Sequence, residues 1–193
     1  QNRLHRLGRN CLAAHEELVR QISLKEDLVA DGFESFDRSQ FYPNNINLLC
    51  GKLSQFLYSF THSRMNRKGR MTDSQRRLSQ VLKRLDPVQR DALKQAFCRL
   101  LECTQVVWRQ TRYPRLVLYT DEHSVYPGAV IANPGLCQAM ARGQFSHVRI
   151  SSKAPRIAGN PLVSVNYMDR ELRKDMAAFH RESMCYTRNV CNG

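Results

Sequence analysis

The sequence predicts an α+β domain: a helical first half packed around a long central helix, then a smaller half that mixes short strands with helices. Three observations carry this. The run Asp86–Gln110 keeps Val88, Ala92, Leu93, Ala96, Phe97, Leu100, Leu101, Val107 and Trp108 on one face, the mark of an amphipathic helix roughly 36 Å long at 1.5 Å per residue. Upstream, apolar residues recur at helical spacing behind recognisable caps. Beyond Arg112 the pattern changes to short β-rich runs broken by Pro and Gly. Helices first and strands later argue for α+β architecture. The expectation is one globular domain over residues 1–193, with a helical half at 1–112 and a mixed half at 113–193. Gln1 in place of Met suggests excision from a larger chain.

Taken in order, Leu4, Leu7, Cys11, Leu18 and Ile22 predict a first helix over Arg3–Ile22. Ser23 with Glu26 reads as a capping box for a short helix that Asp31-Gly32 would end. Asn44 or Asn45 is placed to cap a helix running to Phe60, with Leu49, Leu53, Phe56, Leu57 and Phe60 inward. Residues 62–71 read as a basic loop. Thr72 and Gln75 form another capping box, opening a helix with Leu78, Val81, Leu82 and Leu85 inward. Asp86-Pro87-Val88-Gln89 then starts the central helix. In the second half, strands are expected at Leu116–Tyr119, Val125–Ala132, Phe145–Ile150 and Leu162–Tyr167. A helix opens at Asn133-Pro134 and runs to Arg142, and Asp169 caps a last one through Phe179.

Composition is that of a folded chain, 42% hydrophobic and 24% charged, which argues against disorder. No apolar run approaches the ~20 residues of a membrane span. Thirty Lys and Arg against 17 Asp and Glu leave a net charge of +13, which favours anionic partners. Seven cysteines at irregular spacing make no disulfide framework and point to a reducing compartment, cytoplasm or nucleus.

The first functional expectation is therefore an interaction domain with a basic face. Arg64, Arg67, Lys68 and Arg70 fall in one loop, and Arg76, Arg77, Lys83 and Arg84 follow on the next helix. Such a face suits an acidic protein surface or nucleic acid, with acidic lipid as a peripheral possibility. The alternative is a thiol hydrolase or transferase. Cys50 at a helix start would have a lowered thiol pKa, with His147 as base and Asn166 as orienting group. The run from Cys50 to Tyr58 is similar, over nine residues, to the nucleophile helix of papain-like proteases. The residues around His147 and Asp169 do not follow that family. The plainer reading makes Cys50 a small core residue, His147 an ordinary strand residue and Asp169 a helix cap. Cys11 with His15, and His180 with Cys185 and Cys191, contain metal-ligand types at spacings that match no zinc pattern. Asp121-Glu122-His123 follows a strand and is a candidate site, although one acidic pair beside a turn is more often a solvated loop. No nucleotide fingerprint occurs, and no cofactor or metal is expected.

Overall fold

The computed structural model describes residues 2–36, 39–111 and 113–175. Its centre is a sheet rather than a helix. Five strands, β1 (Leu28–Phe36), β2 (Pro43–Gly51), β3 (Leu57–Arg64), β4 (Leu116–Asp121) and β5 (Phe145–Ile150), lie in the order β3-β2-β1-β4-β5. The first three form an antiparallel meander, while β4 runs parallel to both β1 and β5. Around the sheet stand α1 (Asn2–Gln21), α2 (Asp73–Leu85), α3 (Ala92–Arg109), α4 (Val125–Ile131), α5 (Pro134–Ala141) and α6 (Val163–Asp175).

The α+β class is right, but the helical first half is not: residues 28–64 fold as the meander β1–β3. The reason is burial on both faces. Along β1, Leu28 and Ala30 enter the core beneath α3, while Val29 and Phe33 enter a second core beneath α6. Along β2, Leu49 belongs to the first core, and Ile46, Leu48 and Cys50 to the second. A strand buried on both sides is apolar throughout, and its spacing does not distinguish strand from helix.

The local signals misread there have other uses. Gly32 ends no helix. A Cβ on it would come 2.7 Å from Asn45 Nδ2 and 2.9 Å from Asn47 Oδ1, so glycine permits close approach of β2. Glu26 forms no capping box. Its carboxylate accepts the N–H groups of Leu53 and Ser54 and the Ser54 hydroxyl, fixing the turn between β2 and β3. Of the expected inward residues, Leu53 is 80% exposed.

The central helix is present but shorter, and it forms one layer of the fold rather than the axis. α3 begins at Ala92, after Asp91 in the left-handed conformation (φ 57°). Asp86 ends α2 instead and holds Arg64 through two hydrogen bonds of 2.9 and 2.6 Å. Phe97, Leu100, Leu101 and Val107 are fully buried against the sheet, and Leu93 only partly. α2 carries the complete Thr72–Gln75 capping box. Leu78, Val81 and Leu85 nevertheless lie on its exposed side.

In the second half, β4, β5 and α5 stand where the sequence puts them, with Asn133 capping α5 through the Leu136 N–H at 3.0 Å. Two expected strands are helical. Residues 125–131 form α4, and 163–167 are the opening turns of α6. Leu162, Val165, Met168 and Leu172 sit three or four residues apart and share the second core, so the apolar stripe outweighs the β-branched local composition. The end of the expected last helix falls outside the described residues.

Candidate active site

β1 and β4 are joined at Leu28–Leu118 and Val29–Tyr119. Carried on by two residues, that register sets Asp31 level with Asp121, the last residue of β4. Side chains alternate across a strand. Val29 and Tyr119 pack with the core under α6, so Asp31 and Asp121 face α6 as well. α6 lies on this face through Val165 and Met168, and Asp169 follows one turn after Val165. Three carboxylates thus share one side of the sheet at the C-terminal end of a parallel pair. In open sheets this end forms the crevice where ligands bind.

Electrostatics single out Asp31. Its carboxyl is pushed up to about 7, first by burial and next by the charge of Asp121, with Asp169 adding a smaller push. The Gly32 N–H, 2.8 Å from Asp31 Oδ1, and the charge of Arg156 act in the opposite direction. Asp121 Oδ1 accepts the His123 N–H at 2.9 Å, which folds the turn after β4. Asp169 Oδ1 accepts from Arg173 Nε at 2.6 Å. Glu171, two residues on, is paired with Arg170 and Lys174 at 3.6 Å each. Among the described residues, no three Asp, Glu, His or Cys side chains stand close enough to form a ready metal shell. Asp31 beside Asp121 is a costly electrostatic arrangement: with its carboxyl pushed up to about 7, Asp31 carries a proton much of the time at neutral pH. A divalent cation would replace that proton and relieve the repulsion.

The structure does not bring Cys50, His147 and Asn166 together. Cys50 is fully buried in β2 beneath Leu162 and Val165, and burial pushes its thiol up to about 12. The run after it is a strand end and a turn, so Cys50 gains no helix N-terminus. His147 lies in β5, with β1 and β4 between the two strands. It pairs in register with Leu118, on the α3 side. Its Nε2 meets the Thr120 hydroxyl at 2.8 Å, and burial with nearby Arg149 lowers its pKa to about 4. Asn166 is in the first turns of α6.

The basic residues are at the surface but not equally free. Lys68, Arg70, Arg77, Lys83 and Arg84 are exposed. Arg64 is held by Asp86, and Arg76 pairs with Asp73 at 3.3 Å. Arg67 lies 4.7 Å over the Phe41 ring. Arg67 and Lys68 share a small cavity with Glu34 and Phe36, which places the loop where β1 runs on past Asp31. Of the thiol–imidazole pairs, Cys11 is exposed, and His15 meets the Leu57 carbonyl at 2.7 Å. His180, Cys185 and Cys191 lie outside the described residues.

No protein-family model matches the chain. No curated protein matches it either. Among solved structures it is similar to Endonuclease V of Ciona intestinalis in complex with a 23mer DNA, at 12% identity and a TM-score of 0.26. The likeness covers 84% of this chain and 65% of that one, so the chain spans about two thirds of that protein's crystallised length. At that score it carries no argument about fold or activity.

Sequence reasoning missed Asp31, which read as a helix end, weighed Asp121 as a candidate site against a solvated loop without linking it to Asp31, and read Asp169 as a cap. The usable signal is an acidic residue at the end of an apolar run, found twice, in Leu-Val-Ala-Asp31 and Leu-Val-Leu-Tyr-Thr-Asp121. Among the described residues, no helix is long and apolar enough to cross a membrane.

Proposed function

We propose that this chain transfers phosphoryl groups of a nucleic-acid backbone with the help of divalent cations, Asp31 and Asp121 being the central cation ligands and Asp169 the third carboxylate. The observation that carries this is the largely desolvated carboxyl of Asp31, on the same side of the sheet as Asp121 across two parallel strands and raised to about 7. Two partly buried acids held side by side, with one carboxyl pushed well above its ordinary value, are costly for stability and characteristic of functional sites. The cation would supply a polarised phosphoryl oxygen and a more acidic nucleophile.

The chain's own residues would do the rest. Asp31 and Asp121, on strands of a packed sheet, fix the spacing of the charges. Arg173 orients Asp169. Lys68 and Arg70, beyond the end of β1, would draw in the polyanion, in keeping with the net charge of +13. In the reaction an incoming hydroxyl gives up its proton to solvent as its oxygen forms a bond to phosphorus. The bond from phosphorus to the outgoing sugar oxygen breaks, and that oxygen takes up a proton. Water as nucleophile gives strand cleavage, and a sugar hydroxyl gives strand joining by the same exchange.

The test incubates the protein with supercoiled plasmid and with labelled single-stranded and duplex DNA, with Mg2+ or Mn2+ and with EDTA. Nicked or joined products should appear only with the cation, and Asp31→Asn and Asp121→Asn should each reduce the rate at least a hundredfold. Product formation that survives EDTA, or that is indifferent to both substitutions, rules the reading out.

A further inference from the structure

A second feature lies on the opposite face of the sheet, away from the carboxylates. The last turns of α3 and the length of α5 enclose a cleft of about 480 Å3 near the start of β4. None of its lining residues is acidic. Arg109 and Arg142 open into it, both are exposed, and neither has an ion-pair partner among the described residues. In a chain whose other surface arginines include pairs such as Arg64–Asp86 and Arg76–Asp73, two unpaired guanidinium groups on one cleft are a donor site without an acceptor.

The donors also converge. Gln105 Oε1 accepts from Asn133 Nδ2 at 3.4 Å, which turns its Nε2 toward Gly135. A Cβ built on Gly135 would come 2.0 Å from Gln105 Nε2 and 3.3 Å from an Arg109 guanidinium nitrogen. Glycine there leaves the backbone bare beneath an amide and a guanidinium that reach the same spot. The cleft is large enough for a nucleotide-sized group, and a guanidinium fork matches the oxygens of a phosphate.

We infer that this cleft between α3 and α5 binds a phosphate group, belonging to a nucleic-acid backbone or to a free phosphate compound, through Arg109, Arg142 and Gln105. It is separate from the carboxylate site and stands whether or not that site is catalytic.

Trp108 lines the cleft and is the chain's only tryptophan, so its fluorescence reports on this site directly. The experiment titrates the whole chain at low salt with pyrophosphate and, separately, with a single-stranded oligodeoxynucleotide. Saturable change in Trp108 emission with the oligonucleotide assigns the phosphate to a nucleic-acid strand. Saturation with pyrophosphate alone assigns it to a free phosphate compound. In either case Arg109→Gln with Arg142→Gln should weaken binding at least tenfold, with the melting temperature unchanged because both side chains are exposed. Asp31→Asn, on the other face, should leave the pyrophosphate titration as it is, since that titrant needs no strand at the carboxylate site. No saturable change with either ligand, or the same affinity in the double variant, overturns the inference. A shift in the Asp31→Asn control would overturn the separation of the two sites.

Discussion

Arg173 donates to Asp169 across 2.6 Å, and the same guanidinium lies 4.9 Å over the Phe33 ring and reaches the Glu34 carbonyl at 3.1 Å. One side chain therefore ties α6 to β1 and sets the third carboxylate. Arg173→Met should lower stability by about 2–3 kcal/mol, because it removes charge-assisted hydrogen bonds from a largely buried group. Chemical denaturation measures this. Adding Asp169→Asn should recover part of the loss, as expected for coupled neighbours.

The raised pKa of Asp31 gives stability a pH dependence of definite sign. Between its ordinary value of 3.8 and about 7 the folded state binds more protons than the unfolded state. Stability is therefore highest below that window, falls as pH rises through it, and levels off above. The full effect is on the order of 4 kcal/mol. Asp31→Asn mimics the protonated acid. It should match the wild type near pH 4 and exceed it in melting temperature at pH 8, and equal melting temperatures at pH 8 would contradict the assigned shift.

If a divalent cation binds there, Mg2+ or Mn2+ should stabilise the wild type at pH 8 and leave Asp31→Asn and Asp121→Asn unaffected. A tenfold excess over the dissociation constant corresponds to about 1.4 kcal/mol. Thermal melts across a cation series, with Ca2+ alongside, read the difference.

The core under α3 is open to a simple comparison. Leu100 is fully buried and Leu93 only partly. Leu100→Ala should cost about 2–5 kcal/mol, and Leu93→Ala clearly less. Urea midpoints at unchanged slope would show it.

The thiols should differ in reactivity. Cys11 is exposed, whereas Cys50 is buried and raised to about 12. Iodoacetamide at neutral pH should therefore mark Cys11 early and Cys50 only on unfolding, since the thiolate is the reacting species. Peptide mapping over a time course decides it.

What the sequence revealed of this fold was what lies within a few residues. The Thr72–Gln75 box, the Asn133 cap, the continuous apolar run of β4 and the alternating run of β5 are local signals, and each is where it was read. The meander was hidden because β2 is buried on both faces and carries Asn45 and Asn47, a residue type depleted in strands. Leu49, Leu53, Phe56, Leu57 and Phe60 have helical spacing by coincidence. The carboxylates were hidden for a different reason. Asp31 and Asp121 are neighbours only through the β1–β4 pairing, which no local pattern encodes.

That pairing also bears on the order of assembly. β1, β2 and β3 follow one another through short turns, whereas Val117 N–H reaches the Asp27 carboxylate across 90 positions of chain. Closing a long loop is entropically slow compared with zipping adjacent strands. The meander should therefore form early and β4 dock late, and slowing of folding by substitutions such as Leu118→Ala should set in at a different stage from Leu48→Ala. The two like charges then come face to face only once most of the protein is already in place, so their repulsion falls on the final step of folding and not on its nucleus.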